Sequence, residues 1–400
     1  VEGEGVTLGN IGRVYDSLGQ YAKALEYHQK SLEIKRSTGD VQGEGVTLSN
    51  IGVVYRILGD NAKALEYQER SLEIRRKVGD IKGEGVTLNN IGKVYESLGQ
   101  YAKALEYHEK SLEIERTIGN TLGEGATLNN IGKVYESLGQ YAKAREYYEK
   151  SLEMRRQTSD VQGEGVTLCN IGVLYLSYGL SEKAIELCTH SLAIQRRIGD
   201  RNGETYSLMA LGVAHQAAGR SDQALECYQQ AMAICKEMGT KFDQLNNAIG
   251  FLYLDQGDIP TAELYIKQAG SRSLLGLLAL KRGDFQVALA EYENVLHQAK
   301  ESGRAAQLFA AWTGLGKVYE ALNDYEKAGQ HYAEAAKLVE DLQSNLGPSE
   351  RQAFLSVKVQ GFNRSEPAEG LARLRLKERQ SPVDVVLPPT LPQLHHEATP

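Results

Sequence analysis

The feature that most limits what this chain can fold into is a repeated stretch, LNNIGKVYESLGQYAKA, which fills Leu88 to Ala104 and returns letter for letter at Leu128 to Ala144. Close variants stand one period earlier, LSNIGVVYRILGDNAKA and LGNIGRVYDSLGQYAKA, and one period later, LCNIGVLYLSYGLSEKA. Gly12, Gly52, Gly92, Gly132, Gly172 and Gly212 mark a constant step of about 40 residues, the scale of a stacked repeat array. Such an array grows by adding units, so its length says little about the number of domains.

One unit runs from Asp40 to Gly79. Asp40 is placed to cap a helix whose apolar residues are Val46, Leu48, Ile51, Val54, Tyr55 and Leu58, and Gly59 supplies the left-handed residue that stops it. Asp60 caps a second helix carrying Ala64, Leu65, Tyr67, Leu72 and Ile74, which ends at Gly79. Each unit is therefore a hairpin of two helices of about 18 residues with single-glycine turns, and no strand is predicted. A glycine inside a helix costs about 1 kcal/mol relative to alanine, so the recurrent Gly52 position implies a close helix crossing against Ala64, flanked by Tyr55 and Leu72.

The order Leu88, Asn90, Ile91, Gly92, Tyr95, Gly99, Tyr101, Ala104, Tyr107, Leu112 resembles the tetratricopeptide (TPR) repeat. The long period and the TLNN run are similar to the subset in kinesin light chain and the LGN-type adaptors. The resemblance spans Val1 to about Leu346 and implies an all-α, alpha-alpha superhelix. The family's frequent proline after the second helix is replaced by Arg36, Arg76 and Arg116, which fits a second helix that runs on.

The organisation expected is regular units over 1–240, degenerate units over 241–346, a C-terminal helical cap over 347–380 and a disordered Pro-rich tail or linker over 381–400. The step from Gly250 to Gly276 is short, so the second helix between them, opened by Asp258 and Pro260, must be short, with a change of curvature near Gly270. In the cap, one helix is predicted through Phe354, Leu355 and Val359 and another through Leu371, Leu374 and Leu376. Arg373, Arg375, Lys377 and Arg379 give the cap a polar outer face; the same basic face could instead meet anionic lipid or a partner. This segment also resembles the region that follows TPR arrays in bacterial proteins ending in a caspase-like CHAT protease. The in-register start, VEGEGVTL, reads as a cut from something longer.

Charge and composition exclude several classes. A net charge of −7 argues against nucleic acid, which needs clustered Lys and Arg, and no apolar run approaches the roughly 18 residues of a membrane span. Cys169, Cys188, Cys227 and Cys235 form no CxxC pair and read as unpaired thiols of a reducing, cytoplasmic setting. The GEG runs recur with no strand before them, so they are no dinucleotide loop. His28 and His108 are variants of the Tyr148 position, and His395-His396 make no closed metal site. No catalytic residue, metal site or cofactor is expected.

In TPR proteins the first helices line a concave trough, and the resemblance carries that role to the residues around the marker glycines. These are Asn10, Asn50, Asn90, Asn130 and Asn170, flanked by Ser49, Asn89 and Asn129, then Arg13, Lys93 and Lys133, then Asp16, Arg56, Glu96 and Glu136. An asparagine amide both donates and accepts, so the column can hold an extended peptide backbone, and the lysines select an acidic residue or a carboxylate. The asparagines can equally bond neighbouring helices to each other. Because the column stops after Asn170, the site is expected in the first five units. The function expected is a non-catalytic scaffold binding a protein or peptide partner. The alternative is the regulatory arm of a larger signalling protein such as a CHAT protease.

Overall fold

The computed structural model describes residues 2–240, 243–344, 346 and 348–380. The expected tail, 381–400, lies outside the described residues, as do the side chains of Lys377 and Arg379. Antiparallel hairpins follow one another along the chain: α1 (Glu2–Ser17) with α2 (Tyr21–Thr38), α3 (Val41–Ile57) with α4 (Asn61–Val78), α5 (Ile81–Ser97) with α6 (Tyr101–Thr117), and α7 (Thr121–Ser137) with α8 (Tyr141–Gln157). Then come α9 (Val161–Ser177) with α10 (Ser181–Ile198), α11 (Arg201–Ala217) with α12 (Ser221–Met238), α13 (Asp243–Gln256) with α14 (Ile259–Ala269), α15 (Arg272–Arg282) with α16 (Phe285–Ser302), and α17 (Ala305–Ala321) with α18 (Tyr325–Gln343). The chain closes with α19 (Pro348–Leu355), the two-residue strands β1 (Lys358–Val359) and β2 (Phe362–Asn363), and α20 (Glu366–Gln380). The fold is an all-α TPR solenoid.

The helix ends follow the sequence. Asp40, Asp80, Asp160 and Asp200 accept from the backbone N–H of Gly43, Gly83, Gly163 and Gly203, satisfying a donor that the first helical turn leaves free. Gly39 and Gly79 sit at φ +70° and +71°, which a side chain disfavours. Arg36, Arg76 and Arg116, in the place of the expected proline, reach across to Glu44, Glu84 and Glu124 of the next hairpin at 2.7–2.8 Å.

The second glycine of each GEG lets the helices meet. Ser31, Ser71, Ser111, Ser151 and Ser191 donate to the carbonyls of Gly5, Gly45, Gly85, Gly125 and Gly165 at 2.7–2.9 Å. The marker glycines face a side chain of the hairpin's second helix, as at Gly132, where an added Cβ would stand 2.7 Å from the Tyr148 ring. Tyr55 flanks the crossing within its hairpin as expected, while Leu72 serves the next hairpin instead. Tyr55 stacks on Tyr67 at 5.4 Å and packs with Leu32 of the preceding hairpin, while Leu72 packs with Leu88 and Ile91 of the next.

Both α14 and α15 have 11 residues, so the shortening predicted for one helix is shared between two. The cap also departs from expectation. α19 stops at Leu355, and Val359 belongs to β1, which pairs antiparallel with β2 around Gly361 at φ +97°.

The ribbon of hairpins winds back on itself. The turn within a hairpin of the first superhelical winding docks on a turn between hairpins of the second: Gly19 meets Thr240, Gly99 meets Ser302, and Gly139 meets Leu342 and Ala305. Arg304 bonds the Tyr101 hydroxyl and lies over its ring at 5.6 Å. The post-repeat segment extends this seam. Arg364, 4% exposed, donates to the Ser177 carbonyl at 2.6 Å and to the Tyr141 hydroxyl at 3.2 Å, and stacks on Phe354 at 3.7 Å.

Candidate functional site

Where the second winding lies across the first, part of the trough becomes a cavity that stays open to solvent. This cavity of about 690 Å³ is walled on the first winding by residues of α3, α5, α7, α9 and α11 and on the second by Gln244 and Arg304. On α5 the residues Val86, Asn90, Lys93 and Ser97 recur at helical spacing, so they share one face. Val46, Val86 and Val166 hold the same place in their units and stay 38–42% exposed, and Val166 borders the cavity.

The expected residues divide into two groups. Arg56, Lys93, Asn129, Asn130, Lys133 and Asn170 come together in the cavity wall. Arg13, Asn50, Asn89 and Asn90 do not line it. The cavity also reaches past the fifth unit to Tyr206 and Gln244. Sequence reasoning missed these two, together with Tyr101, Ser97 and Arg304. Ser97 and Val86 were legible, one helical turn from Lys93 and Asn90; Arg304 was not, because it arrives from about 200 residues away through the winding.

The asparagines bond from hairpin to hairpin. Asn90 Nδ2 donates to Ser49 Oγ at 3.2 Å, Asn130 Nδ2 to Asn89 Oδ1 at 3.0 Å, and Asn170 Nδ2 to Asn129 Oδ1 at 2.9 Å. One side-chain donor of each is thus committed to the array, while Asn129, Asn130 and Asn170 still border the cavity.

The charges are unevenly answered. Glu96 is tied to His108 at 2.8 Å and stands 3.7 Å from Lys133; burial pushes its carboxyl up, but the His108 bond and Lys133 outweigh this and hold it below the usual range. Glu136 accepts from the Tyr148 hydroxyl at 2.7 Å, and burial raises its carboxyl to about 7. Burial, then the neighbouring Arg56, depresses the Lys93 ammonium to about 8. Among the described residues Lys93 has no ion pair within 4 Å, and Glu96 is the acidic group whose charge acts on it. A desolvated cation without a partner is costly, and an incoming anion relieves that cost. Among the described residues, no group of three or more His, Cys, Asp or Glu could hold a metal ion, and no helix is long and apolar enough to cross a membrane. The four cysteines are buried and free.

Comparison with known proteins agrees with this architecture. The tetratricopeptide repeat family model matches residues 3–77, 43–117, 83–157 and 163–237, and a second tetratricopeptide repeat model matches 273–342. The chain belongs to the tetratricopeptide repeat family. No curated protein matches it. Among solved structures it is similar to a Rap protein complexed with competence and sporulation factor (TM-score 0.52, 14% identity, 86% of this chain and 99% of that one). It is similar also to the Rap conjugation gene regulator of plasmid pLS20 in complex with the Phr* peptide (0.53, 12%, 85% and 98%). BtubC (BKLC) from P. vanneervenii matches at 20% identity over 57% of this chain and 92% of that one, with a TM-score of 0.43. At these identities the likeness is one of fold. The class so defined is a repeat protein for protein–protein interaction.

Proposed function

We propose that this chain is a non-catalytic cytoplasmic scaffold whose channel holds an extended peptide segment of a partner, with an acidic side chain or carboxylate of that peptide on Lys93, Lys133 and Arg56. The observation that carries the reading is internal to the molecule. The pentapeptide GKVYE occurs three times, at Gly92–Glu96, Gly132–Glu136 and Gly316–Glu320. In the third copy the chain neutralises the motif itself: Glu366 sits 2.5 Å from Lys317 and Arg373 lies 3.1 Å from Glu320. In the first copy no carboxylate pairs with the lysine among the described residues, and Lys93 faces the cavity.

Val166 supplies apolar contact at the same cavity, and free amide acceptors and donors of the asparagines supply backbone bonds. The Rap neighbour solved with the Phr* peptide supports the reading, since a winding of this kind there accompanies a bound peptide. A fluorescent library of acid-containing peptides tests it. Binding should fall at least about tenfold in Lys93→Ala with Lys133→Ala, the loss of one charge-assisted contact, and persist in the Lys→Arg pair. Undiminished binding to the alanine variant rejects the site.

A second reading, the regulatory arm of a caspase-like signalling protease, is favoured by one feature: Arg364 fastens the post-repeat segment to the first winding at Ser177 and Tyr141. Strain at the channel would therefore reach whatever adjoins that segment. Partner-triggered proteolysis by the full gene product is its test.

A further inference from the structure

The seam between the two windings shows how one edge of this ribbon recognises the other, and it leaves one edge of each kind unused. Within the molecule, a turn inside a hairpin packs on a turn between hairpins, at Gly19 on Thr240, Gly99 on Ser302, and Gly139 on Leu342 and Ala305. Two residues show what docking covers. Ala305, the first residue of α17, is 3% exposed beneath Gly139, and Leu138, just before that turn, lies under Gly303.

The opposite edge of the first winding has the same build and, among the described residues, no cover. An added Cβ at Gly39, Gly79 or Gly119 would meet nothing within 4 Å. Val41 and Ile81 begin α3 and α5 as Ala305 begins α17, yet they are 40% and 54% exposed, and Val78, Ile118 and Leu122 beside them are 37–51% exposed. The far edge of the second winding is uncovered too. Among the described residues Gly257 and Gly283 meet nothing within 4 Å, and Leu322 and Val287 are 38% and 55% exposed. Isolated apolar residues on a surface need no explanation, but here they line two edges whose counterparts already bind each other.

We propose that a second copy of this chain docks head to tail on the first, its far second-winding edge on the free first-winding edge, so that the seam continues from molecule to molecule along the superhelix axis. The contact is heterologous: each copy offers two different edges, so association does not close at a dimer. The occupant is a second copy because this chain itself carries the edge that the free edge is built to take.

Sedimentation of the whole chain against concentration tests this with two charge variants, Ile81→Glu with Leu122→Glu on one edge and Val287→Glu with Leu322→Glu on the other. All four side chains are surface residues, and unchanged helicity verifies folding. The unsubstituted chain should gain mass steadily with concentration past the dimer. Each variant alone should sediment as one chain, and their equimolar mixture as a dimer that grows no further, since each keeps the edge that the other lacks. A chain that stays monomeric at every concentration overturns the proposal. So does a variant that still dimerises by itself, which would show like edges pairing, and so does association indifferent to all four substitutions.

Discussion

Replacing Gly132 by alanine isolates the steric demand behind the repeat's most regular glycine. A Cβ there would stand 2.7 Å from both Cδ1 and Cε1 of Tyr148, closer than carbon atoms approach. The ring has nowhere to go: Tyr148 is fully buried between α7 and α8, and its hydroxyl is held by Glu136 at 2.7 Å. Alanine favours the helix by about 1 kcal/mol. Against that, overpacking costs about 1–3 kcal/mol, and pulling the hydroxyl from the carboxylate costs about 1.5–3 kcal/mol more. The hairpin should therefore lose about 1.5–5 kcal/mol, with the steric and hydrogen-bond costs winning over propensity. Gly52→Ala is the control. Its Cβ would meet the Gln68 side chain, Nε2 at 2.8 Å and Cδ and Cγ at 3.0 Å, and shifting that buried amide puts its two neutral hydrogen bonds with Ser49 at stake, about 1–3 kcal/mol against a propensity gain of about 1, so the net loss should be the smaller one. Since repeat arrays need not unfold in one step, the assay is hydrogen exchange resolved by hairpin, with urea unfolding beside it. Protection in α7 and α8 should drop in the first variant by clearly more than that in α3 and α4 drops in the second. Equal effects, or an unaffected Gly132→Ala, would refute the argument that ring rigidity sets the cost.

Three further outcomes follow from the charges. Lys93 titrates near 8, so affinity for an acidic peptide should fall as pH rises through that value and hold level in Lys93→Arg, measured by fluorescence anisotropy; between there and the unfolded pKa of about 10.4 the unfolded chain holds more protons, so stability rises with pH in that window. Glu136 is the reverse case: its folded carboxyl titrates near 7, above the unfolded value of about 4.3, so its contribution is full below about 4.3 and lost as pH rises through 7. Glu136→Gln, which still accepts from Tyr148, should therefore stabilise the chain by about 1–3 kcal/mol in mildly alkaline urea melts and by nothing in acid. Arg364→Ala removes donors to two carbonyls and a hydroxyl, weakening the attachment of residues 348–376 by at least about 2 kcal/mol; limited proteolysis should cut there first, and an unchanged digestion pattern would contradict the role given to Arg364.

How much of this was legible depended on distance along the chain. The hairpins, their caps and the free buried cysteines follow from local pattern, because Asp40, Gly59 and Asp60 act on residues within a turn or two. The shared shortening of α14 and α15 was only half visible, since Gly250 to Gly276 fixes their combined length and not its division. β1 and β2 were missed: Val359 continues the apolar spacing of Phe354 and Leu355, but the chain instead turns at Gly361, φ +97°, and sets Phe362 against Tyr292 with ring centroids 6.1 Å apart. The winding was invisible. A 40-residue period says that units stack, while the pitch comes from small rotations at each interface, and only their sum brings Arg304 to Tyr101.

The near-identity of the units helps to separate structural from recognition positions, because each position has been tried several times on one scaffold. The residues at 49, 89 and 169 are Ser, Asn and Cys, and those across the hairpin at 68, 108 and 188 are Gln, His and Cys. They change as bonded pairs: Ser49 with Gln68 at 3.0 Å, Asn89 with His108 at 2.7 Å, and the two thiols with each other. Variation of that kind preserves the hairpin and says nothing about a ligand. The residue after the marker glycine behaves differently, reading Arg13, Val53, Lys93, Lys133 and Val173, with a cation restored one turn later at Arg56 where valine intervenes. No bonded partner inside the hairpin changes with it. Of these, Lys133 is shared with Glu96 at 3.7 Å, whereas Lys93 borders the cavity with no ion pair among the described residues, so it is at Lys93 that the proposal of a ligand entering the cavity has its strongest support. The cost of burying Lys93 beside Arg56 makes the same point in energy, since a structural role would have been filled more cheaply by another valine.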